Sequence, residues 1–191
     1  MNNNIVKIVI VGILCLLLMG FKCETRYVEV PVLGTAEEAI QIDAAGTHFS
    51  ETGMVDATEV VNDIIESSAY EEVLGIHLQG VTYKIIDNES NPGTTVTGTV
   101  QVSATAGGAL QDLITLSGVN LASVEGVEQS PPLDNAGVLQ IDQSISPFFN
   151  GDNRIYFYVT GNASSSPIKF KIVIKVAVVV VGKVEVDVPM M

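Results

Sequence analysis

The chain has 191 residues, of which 47% are hydrophobic and only 16% charged, so a mainly disordered chain is excluded. Acidic residues outnumber basic ones by 22 to 9, which gives a formal net charge of −13 at pH 7. A surface this negative repels phosphate backbones, so we expect no nucleic-acid partner. The length suffices for one domain with a sizeable core behind an N-terminal address segment.

The first 23 residues have the pattern of an export signal. Lys7 precedes a run from Ile8 to Phe21 that is apolar apart from two glycines, and Cys23 follows closely. A spanning helix needs about 20 apolar residues, so this shorter run is closer to the core of a signal peptide. We therefore expect an exported protein of the bacterial cell envelope, held at the outer membrane or the cell surface.

A cysteine at the end of such a run resembles the lipidation site of bacterial lipoproteins. The resemblance implies that Cys23 becomes an acylated first residue and that the chain contacts a membrane through lipid. Lys22 stands where those signals carry a small residue. Extending the apolar run back to Ile5 places Lys7 inside it, which snorkelling allows, so an uncleaved helical anchor stays open as the alternative. The other cysteine, Cys15, lies inside the apolar run, which leaves the rest of the chain without an internal disulfide.

The segment that follows is strongly acidic. Between Glu24 and Glu72 there are 12 carboxylates and a single base, Arg26. Pro31 favours an edge strand or a tether here. We predict a signal or anchor at 1–23, an acidic tether at 24–36 and a β-sandwich domain at 37–191. The acidic third could pair with the more basic C-terminal strand, within one molecule or between copies.

The first predicted helix begins after Asp56. Asp56 and Glu59 have the spacing of a capping box, and apolar residues recur at helical spacing behind them. The pattern predicts a helix from about Ala57 to Ser67, lying against the sandwich. A weaker helix is predicted after Asp134, through Val138, Ile141 and Ile145.

Alternating apolar and polar residues predict the strands. Ile76 to Ile86 alternates with a change of parity at Gln79-Gly80, which indicates a β-bulge. Thr94 to Val102 alternates after a turn at 87–93, so we predict that these two strands form a hairpin. Further strands are predicted at Leu110–Leu116 and Arg154–Thr160.

The C-terminal run from Ile168 to Val188 has an apolar residue or Gly at every even position. This is a strand with one buried face, and its β-branched middle favours the centre of a sheet. In register it would span about 70 Å, too long for a domain of this size, so we predict a break at Gly182. The fold class is therefore all-β, an antiparallel β-sandwich (Ig-like or jelly-roll-like) with one or two short helices.

Residues that could perform chemistry are few. His48 and His77 are the only histidines, and no catalytic, nucleotide-binding or zinc motif is present. The loops at 87–91 and 150–153 are rich in oxygen ligands that suit calcium, but Asn and Asp are also ordinary turn formers. Tyr156 and Tyr158 share one strand face and are a weak candidate for a surface platform. We expect no enzyme activity, no cofactor and no metal.

Three stretches resemble uncharacterised exported bacterial β-proteins: VTYKI at 81–85, TGTV at 97–100 and KFKIVIKV at 169–176. The resemblance implies export and an all-β fold. Our first hypothesis is a non-catalytic envelope protein with a binding or structural role, through a protein partner or self-association. The alternatives are a surface-fibre subunit assembled by β-strand exchange, with the acidic N-terminal segment as donor, and a hydrolase with an unrecognised site.

Overall fold

A computed structural model describes residues 23–89, 93–145 and 154–189. The described chain is built mainly from strands. The strands are β1 (Cys23–Ala44), β2 (His48–Asp56), β3 (Glu72–Ile86), β4 (Thr95–Ser103), β5 (Gln111–Asn120), β6 (Arg154–Ala163) and β7 (Ile168–Pro189). The helices are α1 (Thr58–Ser67), α2 (Leu121–Val124) and α3 (Asn135–Ile145).

The strands form two antiparallel sheets, which confirms the predicted all-β sandwich. The three-stranded sheet has the order β1-β7-β3, and the four-stranded sheet has the order β2-β6-β4-β5. Pairing is nested: β1 pairs with β7, β2 with β6 and β4 with β5. The remaining strand, β3, has the segment 125–129 at its free edge, where Tyr83 and Gln129 exchange backbone hydrogen bonds. Such nested pairing is the jelly-roll arrangement rather than the Ig-like one.

The core lies between the sheets because inward-facing apolar side chains alternate along each strand. On β7, every even position from Ile168 to Val180 is almost fully buried. Phe49 on β2 and Phe170 on β7 meet across the core, with ring centroids 6.1 Å apart and planes at 85°. This edge-to-face contact joins the two sheets directly.

The predicted break at Gly182 is wrong. β7 is continuous through Gly182 and stays in register with β1 from the pair Ala44–Ile168 to the pair Cys23–Pro189. β7 is longer than the part of it that pairs with β3, because that pairing ends at Lys183. Beyond that level, residues 23–28 of β1 and 184–189 of β7 continue as a two-stranded extension, here called the terminal ribbon.

The segment 24–36, predicted as an acidic tether, is paired strand within β1. Its edge-strand alternative matches the structure, since β1 lies at one edge of the three-stranded sheet. The bulge near Gln79-Gly80 is confirmed by a register shift between Leu78 and Gly80. The predicted hairpin of β3 and β4 is wrong, because the chain crosses from one sheet to the other between them.

Helix α1 confirms the helix predicted after Asp56, but the capping box does not form, because Ala57 is the N-cap residue. The Asp56 carboxylate accepts a hydrogen bond from the Thr58 N–H at 2.9 Å, and the helix covers the inner side of β1. A Cβ on Gly34 would lie 2.5 Å from Val60 and 2.6 Å from Ile64, so the missing side chain lets the helix approach. The helix predicted after Asp134 is also present, as α3, with Asp134 accepting from the Ala136 N–H at 2.8 Å.

Candidate interaction surface

The candidate surface is the side of the three-stranded sheet that faces away from the other sheet, here called the outer face. Odd positions of β7 point to this side, because the even positions fill the core. The outer face consists of residues 173–183 (odd) of β7, their register partners 29–39 (odd) of β1, and Glu72, Gly75, His77, Gly80, Thr82 and Lys84 of β3.

The middle of the outer face is apolar. Leu33 is 60% exposed and pairs with Val179, while the exposed Pro31 pairs with Val181. On the β3 side, Val181 and Ala177 have glycines as partners, and a Cβ built on Gly80 would meet nothing within 4 Å. Val179 has His77 as its β3 partner, and Val179 and Val181 both lie half-buried at the surface. We call Pro31, Leu33, Ala177, Val179 and Val181 the apolar centre.

Ion pairs bound the apolar centre at both ends. At one end, Lys183 Nζ donates to Glu72 Oε2 at 2.6 Å, and this hydrogen bond and charge raise the pKa of Lys183. At the other end, Lys175 Nζ donates to Glu128 at 3.1 Å. The Thr82 hydroxyl, followed by Lys175, lowers the pKa of Glu128. The Glu72–Lys183 pair joins the acidic N-terminal third to the C-terminal strand within one molecule.

Two further ion pairs lie beyond Lys175 along the same sheet. Lys171 contacts Asp87, and Lys169 Nζ lies 3.1 Å from Glu89 Oε2. These carboxylates belong to the loop at 87–91 that was considered for calcium, so each already faces a lysine ammonium. Residues 90 and 91 of that loop, and the whole second loop at 150–153, lie outside the described residues. Within the described residues, no group of three His, Cys, Asp or Glu could hold a metal ion.

The two histidines lie on different sheets. His48 is exposed at the start of β2, and His77 is exposed on β3, beside Gly75 on the outer face. A Cβ on Gly75 would lie 3.0 Å from His77 Nε2, so the imidazole leans over the glycine. The fold therefore does not bring the histidines together into one site, and His77 belongs to the rim of the apolar centre.

The tyrosine pair lies on β6, on the outward side of the four-stranded sheet. Tyr156 and Tyr158 are both half-buried, while their strand neighbours Ile155, Phe157 and Val159 point into the core. The Tyr158 hydroxyl accepts a hydrogen bond from the Gly107 N–H at 2.9 Å. Tyr158, one of the two residues of the predicted platform, is thus hydrogen-bonded to the loop that follows β4.

The remaining candidate residue, Cys23, is the first residue of β1. Its backbone pairs with Pro189 in the terminal ribbon. In the ribbon, Val28 is 47% exposed and Val186 is 38% exposed. Among the described residues, no helix combines the length and apolar character that crossing a bilayer requires.

Comparison of the chain with models of protein families and with curated proteins finds no match. Solved structures that resemble it include one of Desmodium yellow mottle tymovirus, with 13% identity and a TM-score of 0.39 over 81% of this chain and 90% of that chain. Another is a structure of Turnip Yellow Mosaic Virus at 100 K, with 10% identity and a TM-score of 0.28 over 81% of this chain and 96% of that chain. At these TM-scores the similarities carry no inference about this chain.

Proposed function

We propose that this protein is a non-catalytic component of the bacterial cell envelope. Its N-terminal segment holds it at a membrane, through lipid on Cys23, and the jelly roll is presented for a binding or structural role. The observation that carries the proposal is that Cys23 lies in the terminal ribbon, in strand pairing with Pro189 and beyond the level at which the pairing with β3 ends.

This position gives the anchor a defined geometry. The ribbon continues past Lys183 for six residues of β7, which at about 3.3 Å per residue is roughly 20 Å. The chain from Cys23 onward is paired strand rather than a flexible linker. A lipid attached there would hold the sandwich away from the membrane on a short, stiff stalk.

The apolar segment before Cys23 supports the same location. Intact mass of the protein extracted from bacterial membranes tests the proposal. We expect a diacyl or triacyl mass for a chain that begins at Cys23. An unmodified chain that retains Met1 would favour the helical anchor instead. An unmodified, soluble chain would reject membrane anchoring altogether.

A fibre subunit assembled by strand exchange is the second candidate. The observation that favours it is the β7 edge in the terminal ribbon, since β3 ends at the level of Lys183 and the described part of β7 beyond it pairs only with β1. A donor strand from a neighbouring copy could extend the sheet there. Purified protein should then form ladders that survive mild detergent. Monomer alone at high concentration would contradict this function.

A further inference from the structure

We propose that two copies of this chain pack back to back through the outer face of the three-stranded sheet. The partner is therefore a second copy of the same chain, and the interface is isologous. The inference goes beyond membrane anchoring and does not depend on it, because it rests only on residues of β1, β3 and β7.

The first support is the apolar centre itself. A central strand of a sheet normally has both faces covered when its residues are β-branched on both sides. Here the inner valines of β7 are fully buried, while Val179 and Val181 on the outer face are half-buried and flanked by the exposed Leu33. Exposed apolar patches on a sheet commonly mark surfaces of association.

The second support is the register of β1 and β7. A twofold axis that runs along the strands, midway between β1 and β7, places β1 of each copy over β7 of the other at the same level. Leu33 then lies over Val179 of the second copy, because the two residues are register partners within one chain. Pro31 lies over Val181 in the same way. Four of the five residues of the apolar centre therefore meet an apolar residue, while Ala177 meets Thr35.

The third support is charge. The same axis places Glu29 over Lys183 and Glu37 over Lys175 of the other copy, since these are also register pairs. Each lysine is bonded within its own chain, to Glu72 and Glu128 respectively. The incoming carboxylate would complete a small network at each end. Carboxylates on the β1 row and lysines on the β7 row thus make the outer face complementary to itself.

The overlap area suits a weak dimer. With the axis midway between β1 and β7, only these two strands of each copy face each other, and β3 lies beside the overlap. About 36 Å of strand length and roughly 10 Å of width give about 360 Å² in projection, about half of the roughly 800 Å² per partner in a standard interface, which places the contact among the small, weak interfaces. Aligned packing of two sheets allows a crossing angle of about 30°, which keeps the centre in contact.

Two matched substitutions test the interface on the full chain in mild detergent. Leu33 on the outer face and Leu139 on α3 have the same exposure, 60% each. Leu33→Lys should weaken dimerisation at least about tenfold, because two copies of the residue are lost from one interface. Leu139→Lys should leave it unchanged. Density-matched sedimentation equilibrium measures the dissociation constants, and far-UV circular dichroism verifies the fold.

A charge exchange tests the relative orientation of the copies. Glu37→Lys places the introduced lysine of each copy over Lys175 of the other. Lys175→Glu instead places Glu37 of each copy over a carboxylate at position 175. Each variant alone should therefore dimerise less. A mixture of the two variants restores opposite charges at that level in both halves of the heterodimer. Recovery of wild-type dimerisation on mixing supports the proposed axis.

Three outcomes would overturn the proposal. The wild-type chain could remain a monomer at the highest attainable concentration, or dimers could persist unchanged with Leu33→Lys. A third such outcome is a mixture of Glu37→Lys and Lys175→Glu chains that associates no better than either alone. A wild-type monomer that binds lipid vesicles through Leu33 would assign the same face to a membrane surface instead.

Discussion

The ring of Tyr70 lies directly over Gly182. A Cβ added to Gly182 would lie 2.4 Å from Tyr70 Cγ, which is closer than any real contact of that kind. The Tyr70 hydroxyl donates to the carbonyl oxygens of Val30 at 2.9 Å and Val180 at 3.2 Å. One side chain thus covers the glycine and bonds to both long strands at the level where the terminal ribbon begins.

We expect Gly182→Ala to destabilise the fold by about 1–3 kcal/mol, because the methyl group must displace the ring. Tyr70→Phe keeps the ring and should cost about 1 kcal/mol through the lost hydrogen bonds. Urea denaturation measures both free energies of unfolding. In a Tyr70→Ala background, the alanine at position 182 should cost much less.

Gly80→Ala is the matched control in the same sheet, because a Cβ there meets nothing within 4 Å. It should be neutral or slightly stabilising, since Gly weakens a strand interior. If Gly182→Ala proved as mild as Gly80→Ala, the contact with Tyr70 would not matter for stability.

The bulge in β3 depends on a carboxylate from α3. The Leu78 N–H donates to Asp142 Oδ1 at 2.8 Å, at the register shift between Leu78 and Gly80. Asp142→Ala leaves this donor without its acceptor, so we expect a loss of about 1–3 kcal/mol by thermal or urea unfolding. Asp142→Asn retains an oxygen and should lose less. The exposed neighbour Gln143→Ala should change stability by less than about 0.5 kcal/mol.

Acid sensitivity should arise in part at the start of α1. Hydrogen bonds from Thr58, followed by the pairing with Arg154, lower the pKa of Asp56. A lowered pKa means that the carboxylate stabilises the fold fully above its ordinary pKa of about 4, and that this contribution is lost as the pH falls through the lowered value. Asp56→Ala should cost about 1 kcal/mol at neutral pH.

The control for this prediction is Asp56→Asn, which keeps an acceptor for the Thr58 N–H but has no charge. Unfolding curves between pH 2 and pH 7 should show a smaller pH dependence for Asp56→Asn than for the wild type. Equal pH dependence of the two proteins would contradict a role for the Asp56 charge.

The Phe49–Phe170 contact should couple the two sheets. Phe170 is almost completely buried, so Phe170→Ala should destabilise by about 3–5 kcal/mol. Phe49→Leu roughly keeps the apolar volume and should lose about 0.5–1.5 kcal/mol of ring interaction. The double variant should lose less unfolding free energy than the sum of the losses in the two single variants. Strict additivity in urea unfolding would argue against coupling.

Strand positions were predictable because alternation is local and each residue carries its own signal. The burial of Ile155, Phe157 and Val159 follows from their spacing alone, as does the bulge at Gly80. The pairing of strands was not predictable in the same way. A polar turn after Ile86 looks the same whether the chain returns to the same sheet or crosses to the other one.

The break at Gly182 was wrong for a related reason. The length of the strand suggested a break only on the assumption that the whole strand lies inside the sandwich. In addition, the side chain that covers Gly182 belongs to Tyr70, which is distant in sequence. The apolar centre was missed because Leu33 lies in a segment that looked like a tether. Leu33 belongs to the apolar centre because it pairs with Val179, and the alternation of apolar and polar residues along a strand does not reveal which strands pair.

The end-to-end pairing of β1 and β7 has a kinetic consequence. β1 leaves the ribosome before every other described strand, but its hydrogen-bonded partner among the described strands, β7, leaves after all of them. Even the closest pair along the chain, Ala44 and Ile168, must close a loop that contains the rest of the jelly roll. Contacts between such distant residues form slowly. The first strand made therefore lacks its partner until synthesis has almost ended, and we expect the pairing of β1 with β7 to be a late and slow folding step.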